Sequence, residues 1–233
     1  MVVAVRLRAA VALAGRFPAL SGLDLTVLSG EVVAVSGANG AGKTSLLRVC
    51  AGLLPLSSGE GEILGYELEN DSSEVRRRVG LLGHAAPLYD ELTVTENVRF
   101  AVRGAGMPTS RVEPALERLG MVGRLAKAKA GRLSAGQRRR VALAVLVARD
   151  PDLWLLDEPH AGLDASTRRV VDELVREAAL KGSAVLLTSH EQGVVEPLVD
   201  RVVELAGGRV SDVRNVKRQG MLSAVRDGGT NVA

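Results

Sequence analysis

The chain has 233 residues, enough for one domain with a sizeable core and a small inserted subdomain. Hydrophobic residues make up 46% and charged residues 24%, with 30 Lys and Arg against 27 Asp and Glu, a net charge of +3. The charges are interspersed, no Lys/Arg run is long and aromatics are 2%, which argues against a dedicated nucleic-acid surface and leaves Val, Leu and Ala to build the core.

Along the chain, Val3, Val5 and Leu7 alternate with Arg6 and Arg8. A period of two reads as a strand and not as the apolar centre of a signal peptide. Leu23, Leu25 and Val27 alternate as a second strand, and Ser29-Gly30 makes a turn. The run Glu31–Ser36 is nearly continuous in apolar residues, as expected of a strand buried on both faces. A glycine-rich loop follows, and Lys43 to Ala51 has helical spacing, with Leu46, Leu47 and Cys50 on one face. Cys50 is the single cysteine, so no internal disulfide forms; its apolar setting predicts a buried thiol and fits a reducing compartment. From Thr93 to Ala148 the pattern is helical, broken at Gly104–Pro108 and at Gly120. Strand-like runs return at Leu153–Leu156, Ser183–Thr188 and Arg201–Leu205. Between them Ala165–Leu180 reads as a helix with Val170, Leu174 and Val175 as its apolar stripe. No apolar run approaches the roughly 20 residues of a spanning helix. Strands alternating with helices predict an α/β fold with a mostly parallel sheet.

The chemistry begins at Gly37-Ala38-Asn39-Gly40-Ala41-Gly42-Lys43-Thr44. This is the pattern Gly-x-x-x-x-Gly-Lys-Ser/Thr between a strand and a helix, which is a phosphate loop. Glycines let the backbone curl so that N–H groups face phosphate oxygens, and the helix start adds partial positive charge. Lys43 is expected to reach the β- and γ-phosphates and Thr44 to hold Mg²⁺, with Ser45 completing the nucleotide-binding set. Downstream, Leu153-Trp154-Leu155-Leu156 runs into Asp157-Glu158. Two carboxylates ending a buried strand call for a cation or a polar ligand. Asp157 is the candidate for Mg²⁺ and Glu158 for taking a proton from the attacking water. Upstream of that strand, Leu133-Ser134-Ala135-Gly136-Gln137 opens a helix that continues Arg138-Arg139-Arg140; Ser134 is a good cap, and Gly136 leaves N–H groups open.

These motifs, in this order, resemble the ABC ATPase family, and the likeness runs to about Leu205. The resemblance implies a phosphate-loop (RecA-like) sheet with an N-terminal antiparallel β region and an inserted helical subdomain. It divides the chain into a nucleotide-binding core, 1–84 and 149–218, and a helical subdomain, 85–148; the final stretch, 219–233, is short of large apolar residues and is expected to be poorly ordered. It implies that ATP is bound between two copies paired head to tail, with Ser134, Gly136 and Gln137 meeting the other copy's nucleotide. His190 resembles the family's switch histidine at the γ-phosphate. Asp164, in Ala161-Gly162-Leu163-Asp164, resembles the acidic member of the loop that crosses the dimer interface. Phe17 is a candidate to stack on adenine, at an unusual offset, with simple packing as the alternative.

One departure stands out. The family usually has glutamine on the loop entering the helical subdomain, where this chain has His84. Histidine hydrogen-bonds in either sense and titrates near neutral pH, or it merely fills the same volume. The Gly83-His84 pair and the Leu133–Ala144 run resemble ATP-binding subunits of haem exporters in c-type cytochrome maturation. A motor for another cargo (a drug, peptide or lipid) and a soluble ABC protein acting on ribosomes or DNA are the alternatives. The transporter reading implies a polytopic membrane partner, docked beside His84 with Tyr89 as the candidate anchor, and a place on the cytoplasmic face of the membrane; no nucleic-acid partner is expected.

Overall fold

The computed structural model describes residues 2–85, 87–189 and 195–216. His190 and the tail Gln219–Ala233 lie outside the described residues. Strands β1 (Val3–Ala14) and β2 (Phe17–Leu28) form an antiparallel hairpin closed by Gly15 and Arg16. Both run further than their simple alternation indicates, and Ala9 shows why. It adopts φ 45° where the register shifts between Leu7 and Ala10, so the buried set changes from Val5 and Leu7 to Ala10 and Ala12. One extra residue inverts which side chains face the core. The Asp24 carboxylate accepts a hydrogen bond from the Ala9 N–H at 2.8 Å and holds the bulge. Strands β4 (Ser58–Ile63) and β5 (Tyr66–Glu67), separated from β1 and β2 in sequence, complete this sheet in the order β2-β1-β4-β5. The polar sequence of β4 carries no hydrophobic signal; its ladder with β1 and the Arg6–Glu62 pair at 2.6 Å hold it in place.

The second sheet has the order β10-β9-β3-β8-β7-β6. Its members are β3 (Val32–Ser36), β6 (Val79–Leu82), β7 (Leu153–Asp157), β8 (Ala184–Thr188), β9 (Arg201–Ala206) and the antiparallel edge strand β10 (Arg209–Asn215). Every residue of β3, β7 and β8 is buried. Val33, Val35, Leu155 and Leu186 face one core, which includes α1 (Lys43–Cys50) and the antiparallel sheet. Val32, Ala34, Leu156 and Leu187 face the other, shared with α3 (Val94–Gly104), α4 (Val112–Arg118), α5 (Ala135–Arg149) and α6 (Ala165–Leu180). A short helix, α2 (Ser72–Arg78), leads into β6. Arg201 ties the two sheets together, donating to Glu31 at 2.9 Å and to the Thr26 carbonyl at 2.6 Å.

The helical middle is less continuous than its pattern indicates. Between Met121 and Ser134 a single 3-10 turn, Ala130–Arg132, interrupts otherwise irregular chain. On α6 the buried face is Thr167, Val171, Leu174, Val175 and Ala178; Val170, expected in the stripe, is half-buried. Val79–Leu82, the short apolar run before Gly83-His84, is β6, and it pairs in parallel with Leu153–Leu156. Cys50 is buried as expected, and burial pushes its thiol up to about 12. No helix among the described residues is long and apolar enough to cross a membrane.

Candidate functional site: a phosphate loop at the carboxyl ends of parallel strands

Strands β3, β7 and β8 are adjacent and parallel, so Ser36, Asp157 and Thr188 end side by side. This is the edge of an open α/β sheet at which ligands bind. The loop after β3 turns at Gly37, whose φ is 135° and where a Cβ would lie 2.3 Å from the Leu205 carbonyl oxygen. Only glycine fits there. The loop closes at Gly42, the residue before α1. Lys43 is buried, and its Nζ donates to the carbonyls of Gly37 at 2.7 Å and Ala38 at 3.0 Å. The ammonium thus lies across the mouth of its own loop, beside backbone N–H groups suited to phosphate.

Asp157 is buried and fully engaged. Its Oδ2 accepts from the Thr44 hydroxyl at 2.9 Å, and its Oδ1 accepts from the Thr188 hydroxyl at 2.7 Å. The Thr188 oxygen in turn accepts the Glu158 N–H at 3.0 Å. Glu158 has φ 50°, a strained conformation for a residue with a side chain. A cavity of about 380 Å³ joins Lys43, Thr44, Asp157 and Glu158 to Asn39 and Phe17. Ala38 and Ala41 belong to the same loop but do not line it; Gly40, Gly42 and Ser45 do. Phe17, 79% exposed at the tip of the β1–β2 hairpin, forms its far wall. A larger cavity, of about 700 Å³, lies between β4 and the loop after α1. Among its charged residues Arg6 pairs with Glu62 and Arg8 with Glu60, and it contains none of the phosphate-loop or strand-end groups, so size does not locate the chemistry here.

The helix start at Ser134 is elsewhere. Ser134 caps α5 in a reciprocal box, its Oγ accepting from the Gln137 N–H at 3.3 Å while its own N–H donates to Gln137 Oε1 at 3.0 Å. Gly136 sits against the Ala161–Asp164 loop, where a Cβ would come within 3.2 Å of the Gly162 carbonyl oxygen. Asp164 caps α6, accepting from the Thr167 N–H at 2.8 Å and the Ser166 hydroxyl at 2.5 Å, and it pairs with Arg140. Its carboxyl is held well below the usual range, first by Ser166, then by Thr167, with Arg140 a smaller influence. Ser134, Gly136, Gln137 and Asp164 do not line the cavity of Lys43 in this chain.

The sequence reading misses three participants. Thr188 was legible only as the end of an apolar run; that it touches Asp157 depends on strand order. Arg139 is 7% exposed, and its guanidinium reaches four backbone carbonyls at Gly83, His84, Asp157 and Glu158. Burial lowers its pKa, while the Asp157 and Glu158 charges act in the opposite direction. His160 is buried and its Nε2 is hydrogen-bonded to Asp172 of α6 at 2.8 Å, fastening the segment after Glu158. The His84 side chain is exposed, and its carbonyl accepts from Arg139 at 3.4 Å.

Fold and site together define a phosphate-loop nucleotide-binding protein. Residues 20–161 match the ABC transporter family, and the chain belongs to it. It is 43% identical over 191 residues to the cytochrome c biogenesis ATP-binding export protein CcmA of Bordetella bronchiseptica, covering 80% of this chain and 84% of that protein. It is 40% identical over 207 residues to the sulfate/thiosulfate import ATP-binding protein CysA of Brucella melitensis, covering 85% of this chain and 57% of that protein. Among solved structures, the dimeric post-hydrolysis state of the ATP-binding cassette MJ0796 bound to ADP and Pi superposes with a TM-score of 0.84 at 25% identity, covering 91% of this chain and 99% of that one. The protein is an ATP-binding and ATP-hydrolysing subunit of an ABC transporter.

Proposed function

We propose that this chain hydrolyses ATP with Glu158 as general base, in a site completed by a second copy, and that it powers export of haem for cytochrome c biogenesis. The observation that carries the catalytic reading is the chain of bonds Thr44–Asp157–Thr188–Glu158 at the edge where the phosphate loop opens. Gly37 to Ser45 cradle the phosphates, and Lys43 exchanges its two carbonyl partners for phosphate oxygens. The oxygen donors Thr44 and Asp157 fit Mg²⁺, which typically takes one or two protein ligands together with phosphates and water. No group of three His, Cys, Asp or Glu that could hold a metal by itself occurs among the described residues. Bound there, Mg²⁺ supplies charge neutralisation at the β- and γ-phosphates.

Phe17 stacks on the adenine, consistent with its exposed place on the far wall of the cavity. Ser134, Gly136 and Gln137 face the nucleotide of the second copy, and Asp164 lies on the loop between the copies. That these residues are away from Lys43 in one chain supports a composite site, as does the dimeric state of the MJ0796 cassette. His190 and His84 act at the γ-phosphate side. Residues 85–148 form the helical subdomain that docks a polytopic membrane subunit at the cytoplasmic face. Tyr89 and Phe100, 56% and 55% exposed, meet edge to face with centroids 5.0 Å apart and give that surface an aromatic anchor.

The cargo rests on the 43% identity to a cytochrome c biogenesis export protein and on the Gly83-His84 pair; the 40% identity to an import protein makes other cargoes the competing reading. Glu158→Gln should bind Mg-ATP, persist as an ATP-bound dimer and lose about 10² to 10⁴ in turnover. Near wild-type turnover would remove Glu158 from its role. For the cargo, deletion of the gene should abolish haem-stained c-type cytochromes; their normal maturation would exclude haem export.

A further inference from the structure

Arg139 belongs to α5, but its guanidinium bonds outside that helix, to the carbonyls of two strand ends. Its Nη1 donates to the carbonyls of Gly83 at 2.6 Å and His84 at 3.4 Å, immediately beyond β6. Its Nη2 donates to the carbonyls of Asp157 at 2.6 Å and Glu158 at 2.8 Å, where β7 ends. The last residues paired between these strands are Leu82 and Leu156. The guanidinium therefore takes over where the ladder stops, one arm of the fork on each strand's exit. Its Nε is buried and has no hydrogen-bond partner among the described residues, so the side chain is committed to this fork at the cost of one donor. Only arginine has donors spread over a rigid plane wide enough for this; the lysine ammonium is a point with a single reach.

We infer that Arg139 is a positioning residue that makes the capped start of α5, the backbone of Asp157 and Glu158, and the His84 loop move as one body. This rests on the roles proposed above for Glu158 and for Ser134 to Gln137. The α5 start, two turns before Arg139 at most, is the part that meets the nucleotide of the second copy. Asp157 and Glu158 belong to the nucleotide of the first. A rigid link between them within one chain carries the state of one site to the base of the other. ATP bound at one site then orders Glu158 in the other, and hydrolysis should rise cooperatively with ATP.

The test uses the purified full-length chain, with rates followed against Mg-ATP concentration. Arg139→Lys keeps the charge and loses the fork. Its kcat should fall about 10- to 100-fold, since misplacing a reacting group by about 1 Å costs on that order. Its half-saturating ATP should stay within about threefold, because Lys43 and the loop are untouched, and its Hill coefficient should fall to one. In Arg139→Ala, added ethylguanidinium should recover several-fold of the lost kcat and restore the Hill coefficient, whereas ethylammonium should do neither. A role limited to stability would lower melting temperature and active fraction together and leave the Hill coefficient of the folded protein unchanged. Wild-type kcat and cooperativity in Arg139→Lys would overturn the inference. So would rescue by ethylammonium as effective as by ethylguanidinium. Should Arg139→Lys fail to fold, Arg139→Gln, with a planar amide of two donors, carries the same expectation of lost cooperativity at unchanged half-saturation. Glu158→Gln in the same assay separates the two levels: if it turns over normally, the reading of the strand end fails, whereas an inactive Glu158→Gln beside wild-type Arg139 variants sinks only the link.

Discussion

Replacing Thr188 with valine tests whether the bonds around Asp157 set the geometry of Glu158. The side chain is fully buried, and valine has nearly its shape. What disappears is one hydroxyl, which donates to Asp157 Oδ1 at 2.7 Å and accepts the Glu158 N–H at 3.0 Å. A hydrogen bond to a charged group is worth about 1.5–3 kcal/mol, and the bond from the half-buried Glu158 N–H about 0.5–1.5 kcal/mol. The two share one oxygen and do not add fully, so about 3 kcal/mol is expected. In a chain of this size that lowers the melting temperature by roughly 6–12 °C. Glu158 is already held at φ 50°, so loss of its N–H anchor lets the residue relax toward an unstrained conformation and withdraw its carboxylate. A displacement of about 1 Å lowers kcat about 10²-fold, while half-saturating ATP, governed by the phosphate loop, changes little. Thr188→Ser keeps the hydroxyl and should recover most of the rate. Steady-state ATPase kinetics and calorimetry on the three proteins suffice. A valine variant with wild-type kcat, or a serine variant as impaired as valine, would refute the argument.

Gly37→Ala places a Cβ 2.3 Å from the Leu205 carbonyl oxygen at a φ of 135°, so affinity for a fluorescent ATP analogue should fall at least about tenfold; unchanged binding would show that the loop rebuilds itself. Cys50 should resist thiol reagents in the native protein and react once unfolded. Its folded pKa is raised, so its contribution to stability is complete below the unfolded thiol's range and is lost as pH rises toward about 12. Melting curves of Cys50→Ala should therefore decline less above about pH 9 than those of wild type. The Asp164 pKa is depressed, so its cap is at full strength at neutral pH and weakens only as pH falls below the ordinary carboxylate range. Asp164→Ala should melt below wild type at pH 7, and the gap should narrow below about pH 4; a gap independent of pH would mean that the charge is irrelevant to the cap.

Much of this molecule can be read along the chain. The phosphate loop is legible because Gly37 to Thr44 are contiguous and their chemistry depends on local backbone shape. The strands β3, β7 and β8 are legible because burial on both faces demands unbroken apolar runs. The cap at Ser134 is local too, satisfied by Gln137 within the next turn, whereas the capping of α6 by Asp164 emerged only from the structure. The polar strand β4 was not legible, since its place comes from pairing with β1 and not from hydrophobicity. The length of β1 was obscured by the bulge at Ala9, which inverts the pattern that alternation relies on.

At the site, the sequence by itself determined which residues carry charge and hydroxyl groups, and the tertiary structure decided which of them meet. Thr44 reaches Asp157 because β3 and β7 both flank β8, and Thr188 joins them because it ends that intervening strand. Arg139, one of three consecutive arginines, is distinguished only by the face of α5 on which it falls: Arg138 pairs with Asp90 and Arg140 with Asp164, while Arg139 turns inward to four carbonyls. Spacing along a helix fixes that face relative to its neighbours, but what waits opposite it is set by strand order, which local sequence does not encode.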